Sequence, residues 1–148
     1  MPIVRKIQET DALFLDTHTA IWLFEGSSEL KPNLVAAIEQ ARGSNNIFIS
    51  AISFWEIAML ERKNRIKLSL EIEDWSNKIS QLEGVRVSSL TVPVLLHSCK
   101  MPELENHGDP ADKMVIAGAI LEKAVLLTRD RVILQIAAAS SFLKAFEI

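Results

Sequence analysis

Three short runs, ALFL at 12–15, IFIS at 47–50 and AVLLT at 124–128, are apolar at almost every position rather than at every second one. A strand with one face in water alternates in polarity. A strand that is apolar throughout is buried on both faces, which occurs in parallel sheets covered by helices on either side. Each run also stops at a polar boundary. The first ends at Asp16, the second at Ser50, and the third at Thr128 followed by Arg129 and Asp130.

The segments between these runs read as helices. Thr17 to Phe24 places Ile21 and Phe24 inward before Gly26, Ser27 and Ser28 break it. Pro32 to Arg42 carries Leu34, Ala37, Ile38 and Ala41 at helical spacing, with proline at a first helical position and Gly43 as its stop. Ser53 is expected to open a helix reaching Arg62, and Ile72, Trp75, Ile79 and Leu82 space like one helical face ending at Gly84. Further helices are expected at Val92 to Lys100, from Pro110 onward, and at Val132 to Ala139. Val85 to Val87 and Phe142 to Phe146 supply two more short strands, the last at a sheet edge. Strands alternating with helices predict an α/β fold with a mainly parallel sheet. At 148 residues one domain is expected, with residues 1–11 as a polar arm and 12–148 as the folded unit.

Net charge is -3, so there is no overall attraction to nucleic acid, and binding of that kind would need a local basic patch. Arg62, Lys63, Arg65 and Lys67 form one basic run, a pattern that more often marks a solvated helix end. The single cysteine, Cys99, rules out an internal disulfide framework or a cysteine zinc site and fits a reducing compartment. No run reaches the length of a membrane helix, and MPIVRKIQETD lacks the apolar centre of a signal peptide; a soluble cytoplasmic protein is expected.

Chemistry concentrates in the acids. Of six aspartates, Asp16, Asp109, Asp112 and Asp130 stand just past an apolar strand or at the start of a core helix, the edge where open α/β sheets bind ligands. Asp109 precedes Pro110 as an N-cap should. Asp112 shares a helical stripe with Val115, Ile116 and Ala119, and Glu56 shares one with Ile52, Met59 and Leu60. Both acids also have a structural reading. Asp112 fits the third position of a capping box, and Ser53-x-x-Glu56 matches that motif outright. Carboxylates crowded together repel, and a cation turns that repulsion into binding. Oxygen ligands favour Mg²⁺ or Mn²⁺ over zinc, and ions of this kind activate water and neutralise a phosphoryl group during phosphodiester hydrolysis. There is no glycine-rich phosphate loop and no serine-hydrolase elbow.

Four segments in order, LFLDTHTAIWL, ISAISFWEIAM, HGDPADKMVIAGA and LLTRDRVIL, resemble PIN-domain ribonucleases, specifically VapC-type toxins of toxin–antitoxin modules. The resemblance runs from about Ala12 to the C-terminus. It implies an α/β/α sandwich around a mainly parallel sheet, Mg²⁺- or Mn²⁺-dependent cleavage of RNA, a homodimer and a small antitoxin partner. It also implies that Asp16, Glu56, Asp112 and Asp130 are the catalytic, metal-holding acids, with Thr128 a nearby hydroxyl and Asp109 an accessory or capping acid. Lys113, Arg129 and Arg131 are candidate RNA contacts. This chain departs from the subgroup at Gly108 and Lys113, where arginine is common; lysine keeps the charge without the bidentate fork. Trp22, Phe24 and Trp55 are expected to include apolar surface for a partner. The alternatives are an RNA-processing PIN nuclease without an antitoxin and a non-catalytic PIN-fold binding module. A receiver-like switch is disfavoured, because neither its acidic pair nor its late lysine is seen.

Overall fold

The computed structural model describes residues 6–102, 105 and 108–148. In chain order they form β1 (Leu13–Leu15), α1 (Thr17–Phe24), α2 (Pro32–Gly43), β2 (Ile47–Ser50), α3 (Ala51–Arg62), α4 (Ile72–Ser80), β3 (Val85–Ser88), α5 (Val92–Lys100), α6 (Pro110–Leu121), β4 (Val125–Thr128), α7 (Arg131–Ala139) and β5 (Lys144–Glu147). The five strands make one sheet in the order β3-β2-β1-β4-β5, with every neighbouring pair parallel. β1 therefore lies at the centre, and the chain leaves it toward β2 on one side and reaches β4 on the other. The crevice beyond the carboxyl ends of β1 and β4 is the switch point of the sheet.

The three inner strands β1, β2 and β4 are buried at every position because both faces are covered. Leu13 and Leu15 of β1 join Ile47, Ile49, Val85, Val125 and Leu127 in one core, closed by residues of α1 to α4 such as Ile21, Ile38, Ile57 and Trp75. Phe14 points the other way, into a core with Phe48, Leu126, Val94 of α5, Val115 and Ile116 of α6, and Ile133 and Ile136 of α7. Phe14 and Phe48 stack across the sheet with ring centroids 6.2 Å apart. α6 lies so close to this layer that a Cβ on Gly118 would stand 2.9 Å from Cζ of Phe14. The close approach sets the height at which the start of α6 meets the sheet edge.

Three boundaries differ from expectation by two residues or more. α3 begins at Ala51, with Ser50 as its cap, because the chain turns into helix directly at the end of β2. Gly84 does not end α4, which stops at Ser80; it enters β3 with φ of +87° while passing against the Arg42 backbone. The terminal strand starts at Lys144 rather than Phe142, since Leu143 is drawn into the core before pairing with β4 begins. In the expected arm, Ile7 packs against the core beside Ala37 and Ala41. Among the described residues no helix is long and apolar enough to cross a membrane.

The end of α1 is tied to α4 by one carboxylate. Glu25 Oε1 accepts hydrogen bonds from the Trp75 indole N–H at 2.9 Å, the Ser69 backbone N–H at 3.1 Å and the Ser69 hydroxyl at 3.2 Å. Trp75 is itself buried between the edges of Phe24 and Phe54. Removing the acceptor would strand a buried indole donor, which costs about 1–3 kcal/mol. Glu25→Ala should therefore lower the unfolding free energy by that amount, read as a lower urea midpoint with an unchanged slope. A midpoint equal to wild type would show that the three donors are satisfied elsewhere.

Candidate active site

The acids reach the sheet edge as helix caps or from a first helical turn, and that is why their positions are fixed. Asp16, straight after β1, caps α1: its Oδ1 accepts from the Thr19 N–H at 2.8 Å and the Thr19 hydroxyl at 2.6 Å. Its own N–H reaches Leu127 O of β4 at 3.3 Å, which holds it over the crevice. Asp109 caps α6 through the Ala111 N–H at 2.9 Å, with Pro110 opening the helix. Asp112 stands in that same first turn. Asp130 caps α7, its Oδ1 accepting from the N–H groups of Val132 at 2.9 Å and Ile133 at 3.1 Å. Negative charge is favoured at each of these helix N-termini, which supplies part of the tolerance for acids here.

Glu56 arrives differently. The capping-box reading of Ser53-x-x-Glu56 is overturned, because Ser50 caps α3 through the Ile52 N–H and Ser53 is fully buried inside the helix. Glu56 Oε1 instead accepts from the Thr17 hydroxyl at 2.6 Å. Thr17 Oγ1 is also 2.9 Å from Ser53 Oγ, so three polar side chains bridge α1 and α3.

The fold gathers Glu56, Asp109 and Asp112 into a cluster in which one carboxylate oxygen from each lies within 4.8 Å of the others. Burial pushes the Glu56 carboxyl up to about 7; the Thr17 hydrogen bond works against this, and the charges of Asp112, Asp109 and Asp16 add to it. Asp16 is thus close enough to act on Glu56 electrostatically, although the three-acid cluster is made without it. Asp130 is not part of that cluster either. Asp109, expected to be an accessory, is the third member. A set of hard oxygen donors crowded about a carboxyl whose proton affinity is raised by burial and by its neighbours' charge suits a divalent cation of the Mg²⁺ class.

The remaining expected residues divide. Thr128 is fully buried and accepts from the Asp130 N–H at 3.1 Å, fixing the turn that carries that acid. Lys113 is half-buried, next to Asp112 in α6. The Arg129 guanidinium is bonded through each of its three nitrogens: it donates to Glu29 Oε2 at 2.8 Å, Glu29 O at 3.0 Å and Ile148 O at 3.3 Å, and lies over the Trp22 ring at 4.4 Å. Arg131 makes one ion pair, to Glu147 at 2.9 Å, with its side chain 74% exposed. Of the three aromatics expected at a partner surface, Trp22 and Phe24 pack partly against the core, while Trp55 is 58% exposed. His107, the first residue of the third motif, lies outside the described residues. Thr17 and Thr19 are polar residues that the sequence did not mark as part of the site, and Ser53 was marked only as a helix cap. The adjacency of Thr17 to Asp16 and the three-residue step from Ser53 to Glu56 were the available signals.

The model of the PIN domain family matches residues 13–139, most of the chain and all four acid-bearing segments. The chain belongs to the PIN-domain family. Ribonuclease VapC22 of Mycobacterium tuberculosis is 32% identical over 119 residues, a match covering 80% of this chain and 87% of that protein. Among solved structures, VapBC2 from Rickettsia felis bound to a DNA fragment from its promoter superposes with a TM-score of 0.64 at 16% identity, covering 92% of this chain and 98% of that one. FitAB bound to the IR36 DNA fragment gives 0.61 at 19% identity, covering 91% and 94%. These two likenesses show that the fold is shared with chains of those solved complexes.

The Glu56 carboxyl sets a pH dependence for the metal-free PIN domain. Its proton affinity is higher folded, at about 7, than in an ordinary carboxyl at 4.5, so between these values the folded state binds more protons than the unfolded state. Its contribution favours folding below pH 4.5 and is lost as pH rises through 7. In EDTA, wild type should therefore lose more stability than Glu56→Gln between pH 5.5 and pH 8. Parallel urea-midpoint profiles for the two proteins would contradict the assignment.

Proposed function

We propose that this PIN domain is a divalent-cation-dependent endoribonuclease that acts as the toxin of a toxin–antitoxin pair. The observation that carries the reading is the Glu56–Asp109–Asp112 cluster, which belongs to the segments resembling VapC toxins. The 32% identity to a ribonuclease over most of both chains supports the same reaction. The proposal assigns Asp16, Glu56 and Asp112 as the central catalytic acids that hold Mg²⁺ or Mn²⁺, Asp109 as an accessory ligand, and Asp130 as a fourth acid that steers the site, its turn set by Thr128. The cation supplies charge neutralisation and a lowered pKa for water.

The chain's own groups do the rest. The acids would orient the attacking water and accept its proton; the new bond from water oxygen to phosphorus forms in line as the bond to the leaving ribose oxygen breaks, that oxygen takes a proton from solvent, and no covalent intermediate is needed. Lys113, beside Asp112, is assigned to the RNA phosphates. Arg131 joins it, because a single exposed ion pair is worth about 0–1 kcal/mol and exchanges readily for a phosphate. Arg129 is assigned to the rim of the site, where its bonds to Glu29 and Ile148 and its ring contact hold it as a fixed guanidinium plane. Exposed Trp55 supplies apolar surface for the antitoxin or for the second copy of a homodimer. A cytoplasmic site of action follows from an RNA target. An RNA-processing PIN nuclease without an antitoxin is the second reading, and a short reading frame immediately upstream, co-purifying when co-expressed, decides for the toxin.

The central test pairs folding with cleavage. Asp112→Asn should be as stable as wild type in EDTA, or more so, because one repelling carboxylate is gone, yet should cleave a structured RNA panel about 10²-fold more slowly with Mg²⁺ or Mn²⁺. Full cleavage by a well-folded Asp112→Asn protein would end the proposal. Arg131→Ala should weaken RNA binding with little change in stability, whereas Arg129→Ala should lower stability, and the reverse pattern would reassign the two arginines.

A further inference from the structure

Glu56 faces a mechanical problem. Its neighbours Asp109, Asp112 and Asp16 carry the same charge, and a glutamate has three rotatable side-chain bonds through which to swing away from them. One restraint that the structure provides is a series of two hydroxyls, Thr17 bonded to Glu56 and Ser53 behind Thr17. The Thr17 hydroxyl, 2.6 Å from Glu56 Oε1, is within charge-assisted hydrogen-bond distance, and Thr17 is itself 5% exposed. A hydroxyl has one proton. With the proton of Thr17 given to the carboxylate, the 2.9 Å contact to Ser53 Oγ is made by Ser53 donating to Thr17. Ser53 is 0% exposed, so water is not an alternative partner, and each bond in the series polarises the next.

We propose that Thr17 and Ser53 are positioning residues that bracket Glu56, holding its carboxylate in the acidic cluster against the repulsion of its neighbours. The inference rests on the reading of Glu56 as a metal-holding acid. The bracket joins residues that the chain separates by 36 and 39 positions, and it stands where α1 leaves β1 and α3 leaves β2. Thr17 follows Asp16 directly and Ser53 lies one helical turn before Glu56, so one hydrogen-bonded series fixes the α1 and α3 arms of the site relative to each other. If instead the two hydroxyls served only to join the helices, their loss would alter folding but leave the cation affinity of the folded protein unchanged.

The test measures Mn²⁺ binding by calorimetry on the full chain, alongside thermal melts in EDTA and RNA cleavage. Thr17→Val removes the hydroxyl at nearly constant shape, Thr17→Ser keeps it, and Ser53→Ala removes the second hydroxyl. Partners that orient a metal-holding side chain typically change metal affinity by about 10–100-fold when removed. Thr17→Val should accordingly bind Mn²⁺ about 10-fold or more weakly, Ser53→Ala should also bind more weakly than wild type, and Thr17→Ser should stay close to wild type. Mn²⁺ affinity equal to wild type in Thr17→Val, or a Thr17→Ser protein as weak as Thr17→Val, overturns the bracket. If Thr17→Val does not fold, Ser53→Ala decides: wild-type affinity there overturns it and a loss supports it. A wild-type protein with no Mn²⁺ affinity overturns the nuclease reading and the bracket with it, whereas a wild type that binds while the variants bind equally well overturns the bracket alone.

Discussion

Carboxylate oxygens from Glu56, Asp109 and Asp112 lie within 4.8 Å of one another, and two unit charges at that distance repel by about 3.5 kcal/mol at an effective dielectric near 20. A fold of this size has only about 5–15 kcal/mol of net stability, so such a cluster has to be held by the surrounding structure. Three devices do this. Asp109 uses an oxygen to cap α6, as the nearby acids Asp16 and Asp130 cap α1 and α7, and at a helix N-terminus backbone N–H groups and the helix dipole favour negative charge. Glu56 keeps its charge partly neutralised by protonation near pH 7 and is bonded to Thr17. A divalent cation, in the proposed function, converts what repulsion remains into binding.

The sheet explains why the acids meet. β1 is central, and α1 and α3 leave the same edge from neighbouring strands, so Asp16 and Glu56 approach from adjacent starting points. α6 crosses the opposite face close enough for Gly118 to touch Phe14, and its N-terminus delivers Asp109 and Asp112 to that edge. Around this core, single polar side chains act as fasteners. Glu25 binds the end of α1 to the start of α4, and Arg129 joins the β4–α7 turn to Glu29, Trp22 and Ile148. These fasteners sit at the ends of elements, where backbone groups lack helical or sheet partners and side-chain bonds decide the geometry.

Several features could be read in the sequence because they depend on neighbours along the chain. A strand apolar at every position, as in residues 13–15 and 125–128, has to be covered on both sides wherever it lies, and helical periodicity marked the covering elements. Asp109 before Pro110 specified both a cap and a helix start, because capping involves groups two or three residues apart. The acids were legible as a set from their places at strand ends, and the four motif segments pointed to the family that the comparison then established.

Tertiary structure decided the rest, where contacts join residues distant in sequence. Ser53-x-x-Glu56 satisfied a local capping rule, yet Ser50 took the cap because β2 runs straight into α3, and Glu56 became free to meet Thr17, 39 residues earlier. Arg129 and Arg131 look alike as basic residues flanking Asp130. Only the positions of Glu29, Trp22, Glu147 and Ile148 make one a multiply bonded fastener and the other an exposed charge. The sequence by itself determined which elements form and which residue types stand at their ends, since these follow from local sterics and hydrophobic period. Which end groups meet, and therefore which carboxylates crowd together and which hydroxyls restrain them, was decided by the order in which the five strands pair, because that order alone brings the ends of separate helices to one edge.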